Sequence, residues 1–351
     1  MINVIGSFFD TSGYASHTRS LANALAKITK VKLTTNLVPG WERLVNDAEL
    51  KMIKEVDDFE TNLIITNPSF WRQNALAKHN YAFLIWEGDS VPKWIVEECK
   101  NPALEKILVV SKHTLEALRK SCEGLEDSQV EDILEKVRMV PHGVDLEVFK
   151  PKEMPHPKFT FFANKGFTNM EDRGGIQYLI RAYAEEFDGK DTELLIKINP
   201  AYGVPDIKSM FPDLERPDIR FIGDNLHFKD IAQLYNLSDV FVSPTRSEAF
   251  NLPCLEALAC GKPVIATNFG GQTDFVDKEC GWLIDYDLVE VEHELEYEGV
   301  KWATPKHEDL KKALRFAKEN PEICKAMKER CLGMAKEYTW DRTAKIITGL
   351  D

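Results

Sequence analysis

The chain has 351 residues, enough for two domains of ordinary size, and a formal net charge of −13 at neutral pH. It carries no Lys/Arg-rich tract, so tracking a nucleic-acid backbone is disfavoured, and any cationic chemistry must be local. Its seven cysteines are odd in number and scattered without CxxC pairs, which fits reduced thiols in a cytoplasmic protein better than a disulfide framework or a zinc site.

The first residues run directly into an apolar segment without a basic leader, and no apolar run reaches transmembrane length. The expectation is a soluble protein, with peripheral membrane contact compatible. Short apolar strand candidates recur at Ile2–Ile5, Val31–Val38, Leu63–Thr66, Tyr81–Trp86, Ile107–Val110 and Val137–Val140. A second series follows at Phe159–Ala163, Leu194–Ile198, Ile219–Ile222, Val240–Ser243, Val264–Thr267 and Trp282–Ile284. Helical or loop segments separate them, so the pattern predicts two doubly wound α/β domains with a ligand cleft between them. Between the series, Phe149 to Pro157 holds three prolines and reads as a stiff linker. The acidic stretch Val289 to Glu298 reads as a solvated excursion.

The most informative segment is Glu248-Ala-Phe-Asn-Leu-Pro-Cys-Leu-Glu256. A buried-strand pattern and turn formers precede it, Pro253 suits the first position of a helix, and Gly261 stops that helix. The helix is apolar all round except at Glu256, and a buried carboxylate needs a partner. Either Glu256 caps a neighbouring loop or pairs with a core Arg, or it holds a ligand. Glu248 lies on the loop at the carboxyl end of a strand, where open parallel sheets bind ligands, and the amides of Phe250, Asn251 and Leu252 precede the helix. Two hydroxyl-binding carboxylates flanking an anion site describe a nucleotide sugar.

Further motifs are Val140-Pro-His-Gly-Val-Asp145, Asp172-Arg-Gly-Gly175 followed by Leu179-Ile-Arg-Ala182, Ser243 through Gly261-Lys-Pro-Val-Ile-Ala266, Gly270-Gly271, and Tyr338-Thr-Trp-Asp341. With these the chain resembles, over nearly its whole length, the family-4 retaining glycosyltransferases of GT-B architecture. The resemblance implies two facing Rossmann-like doubly wound parallel-sheet domains. Residues 1–152 would bind the acceptor, 153–337 the nucleotide-sugar donor, and 338–351 would form a helix crossing back to the N-terminal domain. It also implies that Glu248 contacts the donor sugar, that Glu256 holds the ribose hydroxyls, and that residues 250–252 supply amides to the diphosphate. Asn251 stands where the family often has Gly. Of the family's basic pair, Arg173 matches one member, while Gly174 occupies the position usually held by Lys. Lys165 and Lys197 are the nearby cations that compensate; Lys197 either points into the cleft or snorkels to the surface.

In the N-terminal domain the resemblance places Gly13 near the donor phosphate and the acceptor. His17 reads as a packing or surface residue, and His142, where relatives often have Asn, as part of a structural hinge. Relatives carry a His after the fourth strand, whereas this chain has Glu87-Gly-Asp89; both acids are candidates for acceptor binding or proton handling, or else solvated acids of a turn. The loop around Gly223 meets the base by its position in the fold. No Asp-x-Asp pair stands at a suitable strand end, so no metal and no cofactor are expected, the donor being a UDP- or GDP-sugar. The implied reaction is transfer of a sugar, a hexose in expectation, to a hydroxyl of a glycan, a lipid-linked sugar or a small molecule. The alternatives are a nucleotide-sugar-binding protein without transfer activity, or another GT-B-like enzyme such as a sugar-nucleotide epimerase.

Overall fold

The computed structural model describes residues 1–9, 12–35, 46–56, 59–199, 203, 205–212, 214–292 and 297–350. All twelve strand candidates are strands there. The first series forms β1 (Ile2–Gly6), β2 (Val31–Thr34), β3 (Thr61–Ile65), β4 (His79–Leu84), β5 (Lys106–Val109) and β6 (Val137–Met139), paired in the order β2-β1-β3-β4-β5-β6. The second forms β7 (Phe159–Lys165), β8 (Thr192–Ile198), β9 (Ile219–Ile222), β10 (Val240–Ser243), β11 (Val264–Thr267) and β12 (Gly281–Ile284), in the order β9-β8-β7-β10-β11-β12. Every pairing in both sheets is parallel. Residues 36–38 of the second strand candidate lie outside the described residues.

Continuous apolar runs are what two-sided burial requires of parallel strands. Leu63, Ile64 and Ile65 in β3 and Phe161, Phe162 and Ala163 in β7 are all fully enclosed. In the second sheet, helices Ile176–Glu186 and His307–Glu319 close one face: Leu179, Ile180 and Tyr183 from the first and Leu310 and Leu314 from the second join Phe161, Ile196 and Val242 in one core. Gly175 starts the first of these helices in the left-handed region (φ 79°), and a Cβ there would lie 1.9 Å from the Pro244 carbonyl oxygen, so only glycine fits.

The chain divides into two compact units: residues 1–143, 291–300 and 340–351, and residues 144–290 and 301–339. The proline-bearing segment expected to be a stiff linker is built into the second unit. Lys152 N donates to Asn236 Oδ1 at 2.7 Å, Asn236 Nδ2 donates to the Lys150 carbonyl at 3.1 Å, and the His156 ring meets Asp239 at 2.9 Å. One element went unread in the sequence: β13 (Tyr286–Glu290) and β14 (Lys301–Pro305), an antiparallel pair in which Leu288 faces Ala303. Of the described residues between them, which belong to the first unit, Val291 and Val300 are buried and Tyr297 packs on Trp86. Within the acidic stretch Val291 and Tyr297 are thus anchored, while Val289, Glu290, Glu292 and Glu298 are exposed as expected; residues 293–296 lie outside the described residues. Among the described residues no helix is long and apolar enough to cross a membrane. All seven cysteines are buried and unbridged.

Candidate functional site

Strand order decides where a ligand site forms. In the second sheet the chain builds outward one way from β7 through β8 to β9, then starts again beside β7 with β10, so the order reverses between β7 and β10. Loops leaving the carboxyl ends of two such strands part to opposite faces and open a crevice. Lys165 ends β7, and the Pro244–Glu248 loop leaves β10. These two ends meet: Lys165 Nζ donates to Glu248 Oε1 at 2.7 Å and to Asn251 Oδ1 at 2.7 Å.

Asn251 caps helix Leu252–Ala259 from the left-handed region (φ 74°, ψ 63°), and among the described residues it alone does so without being glycine. That explains the residue type: glycine or asparagine tolerates this backbone where a branched side chain does not. The asparagine side chain makes no capping hydrogen bond to the helix; it accepts from Lys165 and donates through Nδ2 to Ser243 Oγ at 3.0 Å. Pro253 occupies the second helical position rather than the first, because the helix opens at Leu252. The amides ahead of it still stand at the positive end of the helix. Phe250 is buried against Phe275 and Tyr338 and anchors the loop. Gly270-Gly271 close the loop from outside, Gly271 N donating to the Glu248 carbonyl at 2.9 Å, with no room for a Cβ at Gly271 beside the Ala249 oxygen.

The two carboxylates have opposite electrostatics. Burial alone would raise the Glu248 carboxyl, yet the cations of Lys165 and Arg173 outweigh it and hold the group below its usual range. Burial dominates at Glu256, against weaker pulls from the Tyr235 hydroxyl and Lys165, and pushes that carboxyl up to about 7. Tyr235 Oη donates to Glu256 Oε2 at 2.8 Å. The resemblance had no partner for Glu256 within the protein. A buried tyrosine on the inward face of helix Phe228–Asn236 reads as core, and nothing in the sequence marks its hydroxyl.

Arg173 sits on a loop tied to the β10 exit, its carbonyl accepting from Arg246 N at 2.7 Å and from Thr245 Oγ1 at 3.0 Å. Asp172 shapes the same loop by accepting from Gly174 N at 2.8 Å and Thr168 N at 2.9 Å. A Cβ on Gly174 would lie 2.5 Å from the Gly166 carbonyl oxygen, so no side chain fits there, and the cations at Glu248 are Lys165 and Arg173. Lys197 goes elsewhere. Its ammonium donates to the Ile198 carbonyl and faces Asp224, and burial lowers its proton affinity. Gly223, beside Asp224 past the end of β9, is exposed with open space around it.

In the first unit, Gly13 opens helix Gly13–Leu25, capped by Ser12 Oγ accepting from Ala15 N at 3.2 Å. Glu87 and Asp89 follow β4 and are not free turn acids. Glu87 Oε1 accepts from Tyr297 Oη at 2.8 Å, its carbonyl meets His113 Nε2 at 2.7 Å, and Asp89 pairs with Lys120 at 2.6 Å. His17 is wholly buried. Among the described residues no group of three or more His, Cys, Asp or Glu is placed to hold a metal ion.

The open helix N-terminus, the held carboxylate and the reversed strand order together mark the carboxyl end of a doubly wound α/β unit as the candidate site. Residues 166–295 match the family model described as Glycosyl transferases group 1. Over 220 residues the chain is 24% identical to a probable sucrose-phosphate synthase of Thermosipho melanesiensis, an alignment covering 61% of this chain and 47% of that protein. Over 221 residues it is 28% identical to a D-inositol 3-phosphate glycosyltransferase of Arthrobacter sp., covering 60% of this chain and 48% of that one. The chain thus spans about half the length of these curated relatives. In fold it is similar to a sucrose-phosphate synthase from Thermosynechococcus elongatus (TM-score 0.71, 16% identity, 99% of this chain and 97% of that one). It is likewise similar to Anabaena Alr3699/HepE solved with UDP and glucose (TM-score 0.68, 15% identity, 99% and 98%). The resemblance to the group 1, family-4 glycosyltransferases therefore holds, and the fold is GT-B with two Rossmann-like domains.

Proposed function

We propose that this chain is a retaining glycosyltransferase that moves a sugar from a nucleoside-diphosphate sugar to a hydroxyl acceptor. The observation that carries the reading is the Lys165–Glu248–Asn251 cluster at the helix N-terminus beside the β7/β10 reversal, with Arg173 acting on the same carboxylate. UDP is the nucleotide to test first, because a solved structural neighbour holds UDP and glucose.

In this reading the diphosphate meets the amides of Phe250 to Leu252 and the charges of Arg173 and Lys165, which take up negative charge as the glycosidic bond breaks. Glu248, kept ionised by those same cations, accepts from hydroxyls of the donor sugar. Glu256 accepts from the ribose. The acceptor hydroxyl attacks the face the diphosphate leaves, and its proton passes to the departing phosphate, so no enzymic nucleophile is required. Cationic side chains and a helix end carry the charge that a metal carries in other transferases. Gly13, Glu87 and Asp89 in the first unit are assigned to the acceptor side, Lys197 and Gly223 to the rim near the base.

The test is release of UDP from UDP-sugars by the purified chain in the presence of a panel of hydroxyl acceptors. Glu248→Ala and Arg173→Ala should each lower turnover by about 10²–10³ with the circular dichroism spectrum unchanged. Near-wild-type turnover in either variant overturns the site assignment. A chain that binds UDP yet releases none from any donor is the binding protein rather than the transferase.

A further inference from the structure

Strand β7 ends in Asn164 and Lys165, neighbours whose side chains leave a strand on opposite faces. Lys165 holds Glu248. The Asn164 side chain lies within hydrogen-bonding reach of the Tyr235 hydroxyl, and that hydroxyl donates to Glu256 Oε2 at 2.8 Å. One strand end thus reaches both carboxylates, one directly and one through a tyrosine.

Tyr235 has no exposed surface, and its ring is packed by Phe149, Phe162 and Phe241 at centroid distances of 5.9, 5.0 and 5.2 Å. Such a pocket is complete with phenylalanine; the added hydroxyl is a burial cost that needs a partner. A phenol has one proton to give and lone pairs to receive with. With Asn164 supplying a donor to the phenol oxygen, the phenol proton is committed to Glu256. Oε2 is then occupied, and Oε1 takes no hydrogen bond among the described residues.

We propose that Tyr235, held by Asn164, is the positioning residue for Glu256, fixing Oε2 so that Oε1 accepts from the ribose hydroxyls of the nucleoside diphosphate. The proposal rests on the assignment of Glu256 to the ribose made above. It carries a pH signature. The groups that face Glu256 are Tyr235 from helix Phe228–Asn236, Lys165 from β7 and Cys260 one turn along its own helix. Burial sets this carboxyl near neutrality, and the Tyr235 hydroxyl pulls it down. Ribose recognition is therefore strongest above neutral pH and weakens as the carboxylate takes a proton; without the hydroxyl that transition moves to higher pH.

The experiment is calorimetric titration of the full chain with UDP and 2′-deoxy-UDP from pH 6 to 9, with GDP and 2′-deoxy-GDP run alongside. The wild-type chain should prefer the ribonucleotide. Tyr235→Phe should lower affinity for the ribonucleotide by about tenfold, affect the deoxynucleotide much less, and raise the pH midpoint. In a Glu256→Ala background the same change should add nothing, because the acceptor that Tyr235 positions is already gone. Asn164→Ala, at a half-exposed position, provides a second reading of the same preference should Tyr235→Phe fold poorly. If the wild-type chain binds ribo- and deoxynucleotide alike, or binds neither pair, the ribose assignment fails and this proposal with it. If the wild type discriminates but both variants keep its preference and its pH midpoint, Tyr235 is a packing residue and the proposal alone is overturned.

Discussion

Asn251 joins a backbone demand to a side-chain role. Its left-handed conformation lets the chain turn from the Glu248 loop into the helix, and its amide bridges Lys165 and Ser243. Asn251→Ala pays for the backbone and loses both hydrogen bonds, and should cost about 2–3 kcal/mol in urea unfolding; Asn251→Gly, which suits the backbone, should cost less while still loosening Lys165. Gly174 makes the opposite case. Restoring the family's residue type by Gly174→Lys should lower both the melting temperature and turnover, since a Cβ there collides with the Gly166 carbonyl. The departure is a steric consequence of how this loop is folded, and the cations at Glu248 come from Arg173 and from Lys165.

Among elements, the segment between β13 and β14 changes the reading of the loop after β4. Tyr297 stacks on Trp86 with centroids 5.0 Å apart and donates to Glu87, while Val300 is buried so close to Gly88 that a Cβ there would lie 2.2 Å from its Cγ1. Five glutamates at alternate positions make Val289 to Glu298 read as solvated, but Val291 and Tyr297 occupy the intervening positions and anchor it. Tyr297→Phe should cost about 1 kcal/mol by removing the hydrogen bond, and Tyr297→Ala about 1–2 kcal/mol more by removing the stack, both with altered Trp fluorescence. An unchanged fluorescence spectrum and unfolding midpoint in Tyr297→Ala would remove this segment from the structural account of Glu87.

At the scale of the molecule, the first unit carries a pH liability. His17 from helix Gly13–Leu25 packs edge-on to Phe83 at 4.5 Å, against His142 at 4.2 Å, and stacks on Trp340 of the last helix at 5.4 Å. Both imidazoles are buried, and neither ring nitrogen of His17 has a hydrogen-bond partner among the described residues. Burial, with the second imidazole adding to it, drives His17 well below the ordinary value, and burial brings His142 to about 3. The native state holds both neutral while the unfolded chain protonates near 6.5, so stability is full above that pH. As pH falls below it, stability declines by up to about 1.4 kcal/mol per pH unit for each imidazole, until the folded values are reached. Urea unfolding followed by tryptophan fluorescence between pH 7 and 4.5 should show this slope, and His142→Asn should flatten it; equal slopes in the two chains would exclude the pair as its source.

By itself the sequence determined the twelve strands, the two-sheet organisation and the segment from Glu248 to Glu256, because apolar runs, helix caps and turn residues are local properties of the chain. It also brought Lys165 forward as a cation near the site. Only the tertiary structure decided that β7 and β10 lie side by side, which turns two distant loops into one site. It also decided that Lys165 rather than Lys197 reaches Glu248, and that a core tyrosine is the partner of Glu256. Those outcomes depend on strand order and on contacts between residues 21 and 83 positions apart, and such pairing is set by packing of the whole chain rather than by any local pattern.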